Sequence, residues 1–395
     1  MSVSANTPTP PRPLRLLIVL PSWVGDVVMA TPVLRRIRSA LPGAFIGGLC
    51  RPGIDQLLAG SDLLDELHVE RASGVMGPKF VAAKIRPRRY DTALLLTNSF
   101  STALTVRIAG IPRRIGYDRD SRGILLTDRL AAPTREIGSG GATSLLAHAF
   151  TRAKFDLIPA CTYYWRAADA LLGEDSVIPD PFTWPVPAND QGKPVCMELA
   201  TTPAEEAEAD RILSSLGGVA GAGSTGGATR FVVLNPGGNN EAKRWPAERF
   251  GALAAWLAGG GAGQQFGIAI NGSPGERELC ARIASMSGVP ALILPDHGIT
   301  LGALKAVVKR ASLMVTNDTG PRHIAAAFGV PVVSLFGPTD HRWTVIPTKP
   351  GSREAVVVAD PTLEAGQLAN DHPERCRIDR IDEERVRRAV QEVLR

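Results

Sequence analysis

Apolar segments of strand length alternate with segments of helical periodicity along this chain, twice over, and this alternation limits its fold more than any other feature. Residues 14–23 (LRLLIVLPSW) form a continuous apolar run, as a parallel strand buried on both faces requires. Gly25 and Asp26 then open a helix in which Val27, Ala30, Leu34, Ile37 and Leu41 share one face, and Pro42-Gly43 ends it. A strand near 45–50, a helix near 53–59 and an apolar strand at 92–96 continue the pattern. In the second half, strands expected at 231–235, 267–271, 313–316 and 331–336 alternate with helices at 247–257, 275–286, 301–311 and 322–328. Such alternation predicts the α/β class, with parallel sheets covered by helices on both faces. At 395 residues the chain has room for two domains of this kind.

The expected organisation is a polar, proline-rich tail over 1–13, a first domain over 14–185, a second over 186–375 and a C-terminal amphipathic helix within 376–395. The proline-rich stretch 179–194 is expected to link the domains, and the glycine-rich stretch 217–227 to be a mobile loop. The tail lacks the basic-then-apolar order of a signal peptide, and no apolar run is long enough for a bilayer span. Five scattered cysteines with no CxxC pair argue against a disulfide framework or a zinc site, and agree with a cytoplasmic address. Charge is uneven. Residues 76–135 hold 12 basic and 4 acidic side chains, whereas 201–395 hold 21 of each. That segment is either a solvated arginine-rich face or a surface for an acidic partner such as phosphate, nucleic acid or an anionic membrane.

Two doubly wound domains facing each other enclose a cleft at the carboxyl ends of both sheets, where ligands of such folds bind. Three loops that follow strands there carry chemistry. In PSWVGD (21–26), Asp26 is either a helix cap or a cleft carboxylate able to take a proton. In NPGGNN (235–240) with the following Lys243-Arg244, glycines and cations suit a phosphate, although Lys243 is equally readable as surface charge. The loop lacks the GK[ST] ending of a P-loop and is not GxGxxG, and its Trp245-Pro246 suits an anchor for the next helix. In TNDTGPRH (316–323), Thr319, Gly320 and the helix start can present N–H groups to a diphosphate. Asp318 or Thr319 as a cap, and His323 as a packing residue, are the alternatives. Asp118-Arg119-Asp120 has the DxD form of a metal-binding motif but no further ligand nearby, and is expected to be a solvated turn.

These blocks, with NSFSTAL (98–104), GIPRRIGY (110–117), AKRWP (242–246), TNDTGPRHIAAA (316–327) and VPVVSLFGPTD (330–340), resemble those of the bacterial glycosyltransferase family 9, in order from about residue 14 to 345. The resemblance implies a GT-B fold, two Rossmann-like domains with the acceptor on the first and the nucleotide sugar on the second. It implies an inverting, metal-independent transfer of heptose from ADP-heptose, the donor substrate, to a lipopolysaccharide inner-core acceptor, with no further cofactor. It makes Asp26 the candidate base and Lys243 the lysine on the diphosphate. Gly237, Lys243, Glu276, Asp318, Thr319, Gly320 and His323 become the expected donor contacts, and Asn98, Ser99, Arg113 and Arg114 the expected acceptor contacts. Arg322 stands where the family more usually has Met or Leu, and 135–168 diverges. The implied partners are the nucleotide sugar and an anionic lipid-linked saccharide, met by peripheral contact with the inner face of the inner membrane; no nucleic acid is implied. The alternatives are a family 9 transferase with another donor or acceptor, a GT-B nucleotide-sugar epimerase, and a sugar-nucleotide sensor without activity.

Overall fold

The computed structural model describes residues 13–132, 158–174, 195–218 and 230–395. Residues 1–12 of the expected tail, the expected linker 179–194 and residues 219–227 of the glycine-rich stretch lie outside the described residues.

The first sheet is built from β1 (Arg15–Val19), β2 (Phe45–Cys50), β3 (Glu66–Val69), β4 (Thr92–Leu95), β5 (Arg113–Tyr117) and β6 (Asp128–Leu130). Its helices are α1 (Val24–Ala40), α2 (Ile54–Leu58), α3 (Gly77–Ile85) and α4 (Phe100–Ile108), and α5 (Ala160–Leu172) packs back on α1. After α6 (Pro203–Leu213) the second sheet takes β7 (Phe231–Asn235), β8 (Gly267–Ile270), β9 (Ala291–Ile293), β10 (Leu313–Asn317), β11 (Val332–Phe336) and β12 (Glu354–Val358). Between and after these strands come α7 (Ala247–Ala258), α8 (Arg277–Ser287), α9 (Leu301–Lys309), α10 (Gly320–Phe328) and α11 (Glu383–Leu394). The strand orders are β3-β2-β1-β4-β5-β6 and β12-β11-β10-β7-β8-β9, every pairing parallel. Each is the doubly wound order, which reverses direction once and leaves a crevice at that point. The reversals fall between β1 and β4 and between β7 and β10, so the crevices open beside the β1–α1, β7–α7 and β10–α10 loops.

The central strands are the apolar ones. RLLIV, FVVLN, LMVTN and VVSLF are buried almost throughout, whereas the edge strands ELHV, DRL and EAVVV are half-exposed and carry charge. One apolar cluster runs from Leu16, Val28 and Ile37 of the first domain to Phe231, Val308 and Ile324 of the second, so the domains share buried surface. Val386, Ala389, Val390 and Val393 of α11 are buried in the core of the second domain. The C-terminal helix is therefore a layer of that domain rather than a separate element. Among the described residues no helix is long and apolar enough to cross a membrane.

Helix α1 contains Pro32, which has no N–H for the Val28 carbonyl. The buried Thr31 hydroxyl donates to that carbonyl at 2.7 Å and accepts the Glu198 N–H, from the segment entering the second domain, at 3.0 Å. One hydroxyl thus repairs the helix and ties the crossover to it. Thr31→Val keeps the shape and leaves both partners unpaired, so it is expected to cost roughly 1–3 kcal/mol of stability. A lowered denaturation midpoint for Thr31→Val, with Thr31→Ser near wild type, is the expected result; equal midpoints for all three would refute it.

Candidate active site

The first half of the site is the turn from β1 into α1. Trp23 occupies the N-cap position, no side chain caps this end, and Asp26 falls three residues inside the helix. Asp26 is therefore not the cap, and its carboxylate is left for the cleft. It borders a cavity of about 430 Å³ in the first domain, together with Trp23, Arg71, Asn98, Ser99 and Tyr164. Trp23 is 65% exposed, an open aromatic face at this cavity. Burial pushes the Asp26 carboxyl up to about 6, the Tyr164 hydroxyl bonded to it pulls it back, and the negative charge of Asp318 pushes it up further. Tyr164 is itself buried and holds its proton well above the usual tyrosine range, so it is the donor in that bond.

The second half is a pair of loops held by buried amides. Asn235, at the carboxyl end of β7, donates to Thr316 at 2.9 Å and Thr319 at 2.7 Å, and accepts from Asn271 at 2.6 Å. Asn317 donates to the carbonyls of Pro236 and Gly237 at 2.8 and 3.2 Å. These bonds lock the β7 and β10 loops together around a cavity of about 600 Å³ that includes Gly237, Glu276 and Thr319 and has an apolar side at Ile299, Leu301 and Leu304. Burial pushes the Glu276 carboxyl up, but the N–H groups of Ser273 and Gly238, the Ser273 hydroxyl and the charge of Arg244 outweigh it and hold the group below its usual range. Glu276 is thus an ionised strut between two loops, bonded to Gly238 N–H at 2.8 Å and Ser273 N–H at 2.9 Å. Lys243 Nζ lies 3.0 Å from Asp318 Oδ2, joining the β7 and β10 loops. Trp245 is buried, donates to the Ile381 carbonyl at 2.8 Å and meets Phe250 edge to face, so it anchors α7.

The halves meet where the first turns of α1 and α10 touch. A Cβ on Gly25 would stand 2.6 Å from the His323 ring, and one on Gly320 would stand 2.9 Å from Val24 Cβ. His323 is buried, its Nδ1 has no hydrogen-bond partner among the described residues, and burial beside Arg322 drives it well below its usual range. It is a neutral imidazole wedged between the domains.

The structure brings Asp26, Lys243, Asp318, Thr319, Gly320 and His323 to one place, with Gly237 and Glu276 in the adjoining cavity. It places Arg113 and Arg114 elsewhere, which corrects their assignment to the acceptor. Both open β5 at the amino edge of the sheet, opposite the cleft. Arg113 bonds Asp128 and the Ala170 carbonyl at 3.1 Å each, and Arg114 is buried on the carbonyls of Ile111, Pro112 and Leu125. Ser99 reaches the cavity but also caps α4 on Thr102 N–H, and Asn98 accepts from Tyr163 at 2.9 Å. Asp118 packs against Gly123 of its own turn, and Asp120 has a positive φ of 53°. Among the described residues no cluster of three or more His, Cys, Asp or Glu is arranged to hold a metal ion. Arg322 points away from the cavity, pairing with Glu354 at 2.7 Å and donating to the Thr344 carbonyl at 2.8 Å. Tyr164, Asn235, Asn271 and Asn317 shape the site through their hydrogen bonds, and the sequence analysis assigned none of them a role. The asparagines had a signal, since each stands at or just beyond the carboxyl end of a central strand; Tyr164 had none.

Because the folded pKa of Asp26 lies above its ordinary 3.8, the fold favours the neutral carboxyl. That stabilisation is complete below about 3.8 and is lost as pH rises through about 6. Carboxyl-carbon NMR is expected to show Asp26 titrating near pH 6, higher in Tyr164→Phe and lower in Asp318→Asn. A Tyr164→Phe midpoint at or below that of wild type would break the assigned contact.

Residues 80–137 and 191–372 match the model of glycosyltransferase family 9 (heptosyltransferase), more than half of the chain. The chain is 26% identical over 349 residues to lipopolysaccharide heptosyltransferase 2 of Salmonella typhimurium, covering 84% of this chain and 85% of the relative. Among solved structures it resembles the family 9 glycosyltransferase of Veillonella parvula, with a TM-score of 0.72, 20% identity and coverage of 96% and 97%. It also resembles the E. coli ADP-heptose lipopolysaccharide heptosyltransferase II, with a TM-score of 0.69, 21% identity and coverage of 96% and 98%. These likenesses show the two-domain GT-B fold, and with the family match over more than half of the chain it belongs to glycosyltransferase family 9, the heptosyltransferase family.

Proposed function

We propose that this enzyme transfers heptose from ADP-heptose to the heptose-bearing inner core of lipopolysaccharide, with inversion and without a metal. The observation that carries the chemistry is the position of Asp26, a carboxylate lifted to about 6 in the first-domain cavity and within reach of the charge of Asp318 in the second domain. The names of the Salmonella and E. coli relatives support the donor and the acceptor class. The acceptor saccharide lies in the first-domain cavity beside Trp23 and Asn98. ADP lies in the second, its base against Ile299, Leu301 and Leu304 and its diphosphate toward the N-terminus of α10.

The acceptor hydroxyl attacks the anomeric carbon from the face opposite the departing ADP, and its proton passes to Asp26. A positioned carboxylate supplies roughly 10²–10⁴-fold in such a step. The bond to ADP breaks as Lys243, released from Asp318, and the N–H groups at Thr319 and Gly320 receive the charge growing on the diphosphate. That positive field fills the place a divalent cation holds in metal-dependent transferases. The enzyme works at the inner face of the inner membrane, where a lipid-linked core saccharide is presented.

Incubation with ADP-heptose and a Kdo-lipid A acceptor bearing one heptose is expected to add one heptose mass to the acceptor. An intact donor and unmodified acceptor would overturn the substrate assignment. Asp26→Asn, which keeps size and removes basicity, is expected to lower turnover by roughly two to four orders of magnitude with donor binding retained. Near-normal turnover with chemistry rate-limiting would move the base elsewhere. Transfer is expected to survive EDTA; a loss restored by Mg²⁺ would return Asp118 and Asp120 to consideration. Lys243→Ala is expected to weaken donor use, seen as a higher donor KM or lower turnover.

A further inference from the structure

The β3–α3 corner of the first domain has an exposure pattern that the transfer chemistry does not use. Val75 is 95% exposed, Phe80 65% and Met76 48%, on a molecule whose other apolar side chains are mostly covered. The corner is built rather than loose. Gly74 takes a positive φ of 66°, the Gly77 N–H bonds the Gly74 carbonyl at 3.2 Å, and a Cβ on Gly77 would stand 2.7 Å from the Ala72 carbonyl carbon. Helix α3 then divides its faces. Val81, Ala82 and Ile85 enter the core, whereas Lys79, Phe80, Ala83 and Lys84 face outward, with Met76 one turn before Phe80.

Cations accompany the apolar residues in this stretch of the chain. Residues 71–89 hold six Lys and Arg side chains, all exposed, and no Asp or Glu. Lys84 pairs with Glu70 and Arg88 with Glu66, and Arg86 donates to the Ile108 carbonyl, while Arg71 and Lys79 have no ion-pair partner among the described residues. The same turn, through Glu70, Arg71 and Ala72, lines the first-domain cavity that also contains Asp26. The corner therefore stands at the lip of the proposed acceptor site.

We propose that this corner is a membrane-docking surface: Val75, Met76 and Phe80 enter the interfacial layer of an anionic bilayer while Lys79 and Lys84 engage its phosphate headgroups. Protruding apolar side chains with Arg71, Lys79 and Lys84 close by in sequence have the composition for which an anionic lipid surface is the complement. A protein partner would have to bury three separate protruding residues among cations. A bilayer receives them without shape complementarity. The role of the surface rests on the reading of the acceptor as lipid-linked, since docking here would bring the cavity to the anchor of such a saccharide.

The test is co-sedimentation of the full chain, without donor or acceptor, with vesicles of phosphatidylcholine alone or with phosphatidylglycerol added. Wild type is expected to bind the anionic vesicles and hardly the neutral ones. Val75→Ser, Met76→Ser and Phe80→Ser combined are expected to lower the partition coefficient at least about tenfold. Lys79→Glu is expected to lower the preference for anionic vesicles about fivefold or more. All four positions are exposed, and an unchanged thermal midpoint checks that each variant is folded. Failure of wild type to bind anionic vesicles, or a triple variant that binds as wild type does, would overturn the proposal. So would a self-association of wild type that the triple variant abolishes, which would give the face to a second copy of the chain. Transfer to a soluble, delipidated core saccharide, measured in parallel, is expected to be equal in all variants. Failure of that transfer in wild type would count against the proposed function and leave the vesicle result to be judged by itself.

Discussion

The cleft depends on one contact, the close approach of Gly25 in α1 to His323 in α10. A side chain at Gly25 would overlap the imidazole, and one at Gly320 would overlap Val24, so the helices reach this distance only because both positions lack a Cβ. Two helix N-termini, each a partial positive charge, are thereby brought face to face. The carboxylates of Asp26 and Asp318 are drawn into the same region. His323 fits between the domains only as a neutral ring, since a proton there would add a second buried cation beside Arg322. The contact thus sets the distance between the halves and the electrostatics in which Asp26 titrates.

Around that junction the molecule separates rigidity from charge. The loops of the second domain are fixed by neutral amides, with Asn235, Asn271 and Asn317 taking up buried carbonyls, hydroxyls and one another. Amides satisfy such positions without the desolvation cost of buried ions. Lys243 and Asp318 neutralise each other beside these loops. A diphosphate placed there meets loops already in position, which is the preorganisation electrostatic catalysis requires. Glu276, expected as a donor contact, already accepts bonds from both loops and holds their shape.

What the sequence made legible follows from burial. β1, β7, β10 and β11 are central, and strands buried on both faces leave an unmistakable apolar run. β3 and β6 are edge strands, and ELHV or DRL differs little from a loop. The helix at Asp26 was legible but begins at Val24, and that small displacement decides the Asp26 question, since a residue three positions inside cannot be the cap. Arg113 and Arg114, expected as acceptor contacts from the resemblance, open β5, and in parallel sheets ligands gather where strands end. Tyr164 was beyond reach, because its meeting with Asp26 is a product of α5 packing on α1. No local pattern records it.

Helix α1 connects these observations mechanically. It carries the proposed base in its first turn, Gly25 at the domain contact, and Thr31 and Pro32 in its middle. At 1.5 Å per residue, Thr31 lies only about 7–8 Å along the axis from Asp26. Its hydroxyl holds Glu198, on the chain entering the second domain, and Arg35 one turn further pairs with the carboxylate of the same Glu198 at 2.7 Å. The first domain thus grips the crossover with the helix that presents Asp26. Any rotation of the second domain about that crossover acts on α1 at Thr31 and Arg35 and on its tip at Gly25. A proline in mid-helix, tolerated because Thr31 completes the bond it cannot make, places the polar tether where the chain must pass. The position of the base relative to the donor loops is therefore set by packing along the helix, from the glycine at its tip to the arginine nearly three turns below.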